Sequence, residues 1–245
     1  MSQRFTIQPI DVGNSLQNYI WILVDEQQRT AVAIDPTQAD LVLDYCQQRQ
    51  LILEQVWITH KHHDHIGGLA QLRQQTQAKI YVPELEMDCI EYFDHTLTDQ
   101  DQFYFSGLKI DVIATAGHTL GHICFFVDEL DALFSGDTLF AMGCGRIFEG
   151  TYAQMYHSLN RLAALPAYTK VYCAHEYTEA NANFAINIEP DNLILQQRLK
   201  QVQQLHQQKQ ITLPSEIALE LKTNPFLRCQ NVEEFQKLRQ LKDQF

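Results

Sequence analysis

The stretch Thr59-His60-Lys61-His62-His63-Asp64-His65 decides the fold. It places four histidines and an aspartate within six positions, directly after an apolar run that predicts a buried strand. Alternate residues of a strand share a face, so His60 and His62 are expected to project together. A turn at His63 then brings Asp64 and His65 toward a neighbouring point. Without a metal ion, so many buried polar groups would each need another partner, and the stretch therefore predicts a metal site.

Three later segments also place a polar side chain where a predicted strand ends. They read Ala116-Gly117-His118, Ser135-Gly136-Asp137 and Cys173-Ala174-His175. In layered α/β folds, functional side chains collect at strand ends, so these segments are expected to contribute to the same site. His122 follows His118 by four residues, and we expect it to orient a turn or a ligand rather than to bind metal.

The chain divides by pattern into two parts. Short apolar runs separated by turn signals fill the first two-thirds and alternate with helical spacing, which predicts an α/β domain with helix-covered sheets. After about Tyr177, apolar residues near period 3.6 predict helices such as Asn192–Gln208 and Asn231–Leu241. Ser215 is the candidate cap of a helix between them. We therefore expect a catalytic domain over residues 1–175 and a small helical domain over residues 176–245.

Charge and composition exclude several classes of function. The net charge of -12 argues against nucleic-acid binding over the whole surface, which needs clustered Lys and Arg. No apolar stretch has the length of a signal peptide or a membrane span, so we expect a cytoplasmic protein that does not contact membranes. None of the six cysteines forms a Cys-x-x-Cys pair, which predicts free thiols and leaves metal binding to histidine and carboxylate.

The pattern T-H-x-H-x-D-H, followed by G-H-T, G-D-T and a late histidine, resembles the metallo-β-lactamase superfamily. The resemblance implies a four-layer αββα sandwich with a dinuclear metal site between the sheets. It also implies a full ligand set: His60, His62 and His118 for one metal, Asp64, His65 and His175 for the other, and Asp137 as the bridge.

The chemistry of this ligand set fits two divalent ions, zinc first and iron or manganese as alternatives. Five neutral histidines and two aspartates supply a charge of -2 against +4 from the metals. The remaining charge favours a bridging hydroxide, because metal ions lower the pKa of bound water to about 7. Such a hydroxide is the expected nucleophile, with Asp64 and Asp137 as the catalytic carboxylates, and no serine or cysteine nucleophile is needed.

Further segments narrow the resemblance. The run Gly143-Cys144-Gly145-Arg146-Ile147-Phe148, the segment His175-Glu176-Tyr177 and the C-terminus together resemble the glyoxalase II, or hydroxyacylglutathione hydrolase, family. That family cleaves S-D-lactoylglutathione to D-lactate and glutathione, the second step of methylglyoxal detoxification. The resemblance implies the following glutathione contacts: Arg146, Tyr177, Asn181, Arg239 and Lys242.

Glutathione is net negative, so local cations are needed to hold it on an acidic protein. Arg146, Arg239 and Lys242 can supply them. Some relatives carry tyrosine where Phe148 stands, and the missing hydroxyl predicts somewhat weaker binding. The expected partner is thus a small glutathione thioester, and we expect the protein to act as a monomer.

Three alternatives stay open on sequence alone. The fold also supports a β-lactamase, a lactonase or a persulfide dioxygenase, the last of which is expected to use one iron. A nucleic-acid processor is a second alternative, against which the acidic balance argues. A non-catalytic relative is the third, and the complete set of seven ligands argues against it.

Overall fold

In the computed structural model, which describes residues 4–245, the chain divides into two units. The first takes in residues up to Ala114 together with Gly121–Leu130, and the second takes in Thr115–Leu120 together with Asp131–Phe245. Each unit is therefore built from two separate segments of the chain. These units do not divide the chain at residue 175, and the domain boundary predicted there stays a prediction.

The first unit contains a mixed sheet of six strands arranged in chain order. They are β1 (Phe5–Asp11), β2 (Tyr19–Asp25), β3 (Thr30–Ile34), β4 (Ile52–Trp57), β5 (Lys79–Pro83) and β6 (His95–Leu97). The first three strands pair antiparallel, whereas β3 to β6 pair parallel. Parallel neighbours need crossovers, which are α1 (Ala39–Arg49), then α2 (His63–Ile66) with α3 (Leu69–Gln75), and a 3-10 helix (Glu84–Cys89).

Both faces of this sheet are covered within the first unit. On one face, the apolar stripes of α1 and α3 pack against Ile20 and Ile22 of β2 in a single hydrophobic cluster. On the other face lie the antiparallel strands β7 (Gln102–Phe105), β8 (Leu108–Ala114) and β9 (Ile123–Val127). The Trp57 ring lies 5.3 Å from Phe103 and 5.4 Å from Phe125 by ring centroids. Burial on both faces explains why β2 is apolar along nearly its whole length.

The second unit combines short strands with most of the helices. Its elements are β10 (Ala132–Gly136), β11 (Leu139–Phe140), β12 (Gly143–Cys144), α4 (Tyr152–Ala163), β13 (Lys170–Cys173), α5 (Thr178–Ile188), α6 (Leu193–Gln207), β14 (Ser215–Glu216), α7 (Ile217–Thr223), a 3-10 helix (Pro225–Arg228) and α8 (Val232–Gln244). Strand β13 pairs parallel with β10 and antiparallel with β14, and β11 and β12 form a separate hairpin.

The predicted helical character of the C-terminal region is confirmed by α6 and α8. Asn192 and Asn231 cap these helices, each accepting a backbone N–H from the first turn. The prediction that Ser215 caps a helix is wrong, because Ser215 lies in β14 and Glu216 holds the cap position of α7 without a side-chain cap bond. Strand pairing with Val171 fixes the backbone of Ser215 instead.

Two whole-chain expectations can be compared with the structure. The six cysteines are free thiols, as predicted, and four of them are buried: Cys46, Cys124, Cys144 and Cys173. Over residues 4–245, none of the helices combines the length and the apolar character needed to cross a membrane.

Candidate active site

The first group of predicted metal ligands comes from one short stretch after β4. His60 is fully buried three residues after the end of that strand, and His62 follows in extended conformation at the start of α2. Nε2 of His60 lies 2.9 Å from Nδ1 of His62, and the rings of His60 and His65 are 4.0 Å apart. One turn of helix brings Asp64 Oδ2 within 3.4 Å of His65 Nε2. Four of the predicted ligands therefore converge within the first unit.

Asp35, buried just after β3, fixes the orientation of two of these histidines. Its Oδ2 accepts the Thr59 hydroxyl at 2.7 Å and faces His65 Nδ1 at 3.0 Å. A carboxylate only accepts, so Nδ1 of His65 carries the proton. Thr59 has given its own hydrogen to Asp35, and its oxygen therefore accepts from His60 Nδ1, 3.0 Å away. Both histidines are thereby left with Nε2 as the unprotonated, metal-binding nitrogen.

Two further side chains hold the motif in place. Asn18 donates its amide to Asp64 Oδ2 at 3.0 Å. The buried Glu86 accepts the backbone N–H of Lys61 at 2.5 Å and that of Gly121 at 3.1 Å. Sequence reasoning missed Asp35, Asn18 and Glu86. The one usable signal was the position of Asp35 at the end of a strand next to the strand that carries His60.

His122 has the surroundings expected of an orienting residue. It is fully buried and its ring stacks on His60 with centroids 4.9 Å apart and 29° between the planes. This contact limits rotation of the His60 ring. It adds a packing restraint to the hydrogen bond that Thr59 makes with the same imidazole.

The second group of predicted ligands, His118, Asp137 and His175, follows three separate strands and lies in the second unit. The carboxylate of Asp137, next to the end of β10, lies between two imidazoles. Its Oδ2 is 3.3 Å from Nε2 of His118, and its Oδ1 is 3.1 Å from Nε2 of His175. A single carboxylate that offers one oxygen beside each of two imidazole nitrogens has the shape of a bridging ligand.

The tautomer of His118 also supports coordination of a metal ion. Its Nδ1 lies 2.7 Å from the carbonyl oxygen of Arg146, which only accepts, so Nδ1 carries the proton. Nε2 then presents a lone pair toward the Asp137 carboxylate. Two electron-rich atoms facing each other in this way fit coordination of a cation.

All seven predicted ligands belong to groups of histidine and aspartate side chains that could hold a metal ion. The donor set consists of imidazole nitrogen and carboxylate oxygen, with no sulfur. That chemistry fits zinc, iron or manganese.

Three of the predicted glutathione contacts lie at or near the surface of the second unit. The side chain of Arg146 is 58% exposed, with Nε 3.3 Å from Asp243 Oδ1. Lys242 donates to the carbonyl of Ala180 at 3.3 Å, and burial lowers its pKa to about 8, with the nearby charge of Arg239 adding to the effect. The ring of Tyr177 stacks on that of the predicted ligand His175, 4.7 Å away with 4° between the planes, which links the two sets of residues.

The other two predicted contacts are buried and already hold backbone groups. Asn181 donates its amide to Ala141 O at 3.1 Å. Arg239 donates from Nη1 to Cys144 O at 2.9 Å, and its Nη2 lies 3.0 Å from Asp243 Oδ1. Within the Arg239 guanidinium, Nε is the one nitrogen that has no hydrogen-bond partner among residues 4–245.

Phe148, which stands where some relatives are expected to carry tyrosine, is 59% exposed. The edge of its ring contacts His118, with centroids 5.2 Å apart. Phe148 therefore lies at the surface beside a predicted ligand.

Comparison with known proteins identifies two families that together match most of the chain. The family described as metallo-beta-lactamase superfamily matches residues 47–175, and the family described as hydroxyacylglutathione hydrolase C-terminus matches residues 176–245. A hydroxyacylglutathione hydrolase of Pseudomonas fluorescens is 48% identical over 221 residues, which cover 90% of this chain and 85% of that protein. One from Pelagibacter ubique is 41% identical and covers 93% of this chain and 95% of its own.

Among solved structures, ETHE1 from Myxococcus xanthus superposes with a TM-score of 0.74 at 28% identity and covers 96% of this chain and 90% of its own. The predicted metallo-β-lactamase fold with a C-terminal helical region is therefore confirmed. The chain belongs to the hydroxyacylglutathione hydrolase family of the metallo-β-lactamase superfamily.

Proposed function

We propose that the protein is a thioester hydrolase that cleaves S-D-lactoylglutathione to D-lactate and glutathione, the second step of methylglyoxal detoxification. The observation that carries the proposal is the Asp137 carboxylate, which lies between Nε2 of His118 and Nε2 of His175. The names of the two bacterial relatives supply the substrate class.

We infer that two divalent ions, zinc in the first place, are held by the seven ligands, with Asp137 between them. The proposed ligands of one ion are His60, His62 and His118, and those of the other are Asp64, His65 and His175. When bound, such ions polarise a carbonyl and lower the pKa of water to about 7. Iron or manganese suits the same donor atoms.

The protein contributes orientation to this chemistry. Asp35 and Thr59 keep the Nε2 atoms of His60 and His65 free of protons, and the Arg146 carbonyl does the same for His118. Asn18 holds one oxygen of Asp64, which limits rotation of that carboxylate. Asp64 and Asp137 are thus the proposed catalytic carboxylates, acting on the reacting water from fixed positions.

The reaction breaks the C–S bond of the thioester and forms a C–O bond between the acyl carbon and the oxygen of water, while glutathione leaves as the thiolate. The protons released by the water and by the new carboxylic acid pass to the thiolate and to solvent. A thiol has a pKa of about 8.5, so the thiolate departs near neutral pH without a strong proton donor. The reaction accordingly needs no separate general acid in the protein.

Substrate binding is assigned to the second unit. Arg146 and Lys242 are the accessible cations for the carboxylates of glutathione, and Tyr177 offers its ring and hydroxyl beside His175. Asn181 and Arg239 stay in the proposed set, although their side chains already hold backbone carbonyls. We assign catalysis to a domain over residues 1–175, which also supplies the Arg146 contact, and the other four substrate contacts to a domain over residues 176–245; the two matched families meet at that boundary.

We also propose that the protein acts as a monomer in the cytoplasm. Free thiols are ordinary in a reducing compartment, and all six cysteines are free. Light scattering of the purified protein tests the oligomeric state, and a mass near twice 28.4 kDa would contradict the monomer.

The decisive experiment for the substrate is an assay of zinc-loaded protein against S-D-lactoylglutathione, a β-lactam, a lactone and glutathione persulfide. We expect loss of the thioester and stoichiometric release of free thiol. Oxygen consumption with the persulfide, or opening of the lactam or lactone while the thioester stays intact, would overturn the assignment.

A further inference from the structure

The β11–β12 hairpin connects Asp137, the proposed bridging ligand, to Arg146, and side chains from the C-terminal region hold its backbone. Five consecutive residues each have a polar backbone atom bound in this way. Asn224 donates to Phe140 O at 3.2 Å and Gly143 O at 2.9 Å, Asn181 to Ala141 O at 3.1 Å, and Arg239 to Cys144 O at 2.9 Å, while Glu220 Oε2 accepts the Met142 N–H at 2.7 Å.

The hairpin needs such support. Each of its strands has only two residues, which is too little pairing for stability on its own. Met142 adopts φ 53°, a left-handed conformation that is unfavourable for a residue with a side chain. The conformation persists because the Met142 side chain is buried and its N–H is bound by Glu220.

Glu220 and Asn224 belong to a fully buried polar network. Asn224 also donates to Glu220 Oε2 at 3.0 Å, and the other oxygen of Glu220 lies 2.6 Å from Nη2 of the buried Arg198. Arg198 in turn donates to Ser215 Oγ at 2.7 Å. Burying an ion pair is unfavourable unless each group is well bonded, so the network holds Glu220 and Asn224 in one arrangement.

The hairpin in turn contacts residues of the proposed active site. The ring of Phe140 lies 5.9 Å from His175 and 5.5 Å from Tyr177 by centroids, edge to face in both cases. A Cβ on Gly145 would stand only 1.9 Å from the carbonyl oxygen of Asp137, so the chain after the hairpin passes as close to Asp137 as glycine allows. The next residue is Arg146, a proposed glutathione contact.

We propose that Asn224 and Glu220 are positioning residues for substrate binding. They fix the backbone of the hairpin and, through Phe140 and the chain that leads to Arg146, place Tyr177 and Arg146 for the glutathione part of the substrate. Neither residue touches the substrate itself. The inference rests on the proposed hydrolysis of a glutathione thioester.

The test is the isosteric change Asn224→Asp, which replaces an amide that donates to two carbonyls and to Glu220 by an oxygen that repels all three. Asn224→Ser, which replaces the amide by a shorter hydroxyl without adding charge, is the milder second variant. The matched control is Asn187→Asp on the exposed face of α5, where the amide donates to Asn183 O of its own helix.

Wild type is assayed first on S-D-lactoylglutathione and on a small neutral thioester of the same acyl group. We expect Asn224→Asp to raise KM for the glutathione thioester about tenfold, a loss of about 1.4 kcal/mol in binding. Asn224→Ser is expected to raise it about threefold. In both variants, kcat, zinc content and KM for the neutral thioester should stay within about twofold of wild type.

Two results would overturn the inference. One is an unchanged KM for the glutathione thioester in folded Asn224→Asp and Asn224→Ser. The other is an equal fall in kcat on both substrates, which is the result of a merely structural role because it reports a smaller folded fraction. Failure of wild type to hydrolyse S-D-lactoylglutathione would instead contradict the proposed function. Calorimetric binding of glutathione to the same variants would then test the positioning role without turnover, with equal affinity in wild type and Asn224→Asp counting against it.

Discussion

The two groups of proposed metal ligands are built in different ways. The first comes from one continuous stretch, His60 to His65, and a side chain, Asp35, sets its tautomers. The second comes from three distant strand ends, and a backbone carbonyl, that of Arg146, sets the tautomer of His118. A side-chain partner can be removed by mutation, whereas a carbonyl remains whatever residue carries it. Metal binding by the first group is therefore expected to be sensitive to mutation of residues outside the ligands. Metal binding by the second group is expected to be sensitive to changes in the backbone around Asp137.

The largest effect is expected at the bridge. Asp137→Ala removes the only proposed ligand shared by both ions, so zinc content and turnover should fall together, with kcat lower by about a thousandfold or more. Zinc analysis of the same preparation used for kinetics checks this. Full activity with normal zinc would remove the bridging role and with it the contrast between the two groups.

A smaller loss is expected from Asp35→Asn, which keeps the shape of the side chain but lets it donate as well as accept. His65 and, through Thr59, His60 then lose their fixed tautomers, and zinc affinity or activity should fall about 10- to 100-fold. Asp131→Asn is the matched control, because Asp131 has nearly the same positive φ, 52° against 51°, and is exposed.

Arg146→Ala tests whether the backbone carbonyl, and not the side chain, supports the second group of ligands. Its carbonyl persists, so zinc affinity should stay at the wild-type value while KM for the glutathione thioester rises. Loss of zinc in Arg146→Ala, or none in Asp35→Asn, would contradict the distinction between side-chain and backbone support.

Lys242→Ala should raise KM for S-D-lactoylglutathione about tenfold and leave KM for a small neutral thioester unchanged. The reason is the loss of one cation opposite a substrate carboxylate. Lys237→Ala, on the same helix and exposed, is the control. An equal rise for both substrates would rule out recognition of the carboxylate by Lys242.

The smallest effect is a pH dependence of substrate affinity. Burial lowers the pKa of Lys242 to about 8, so the ammonium is present below that pH and is lost as the pH rises through it. Binding of the anionic substrate should therefore weaken by a few-fold between about pH 7 and pH 9. Lys242→Arg, which stays charged, should flatten the profile of 1/KM over this range. An unchanged slope in that variant would assign the titration to another group.

Much of the fold follows from local pattern, and the exceptions have physical causes. The buried strand before His60 and the helices α6 and α8 have clear apolar periodicity. Strand β1 was not predicted, because it is only half buried, its alternation is weak and it contains Pro9. Ser215 looked like a cap by residue type, but strand pairing with Val171 decided its conformation.

Prediction of the site from the sequence is likewise limited to features that residue type or local pattern reveals. Its ligands could be predicted because residue type carries their chemistry. Asp35 could have been suspected from its place at a strand end. The contacts of Glu220 and Asn224 could not, since their partners are backbone atoms of residues about 80 positions away, and a backbone N–H or carbonyl leaves no mark in the sequence.

The most direct test of the central claim is the metal content of purified wild-type protein after loading with zinc and removal of weakly bound ions. The account predicts two zinc ions per chain, and loss of thiol release from S-D-lactoylglutathione when a chelator removes them. One ion or none per chain in protein that still cleaves the thioester would contradict a dinuclear centre bridged by Asp137.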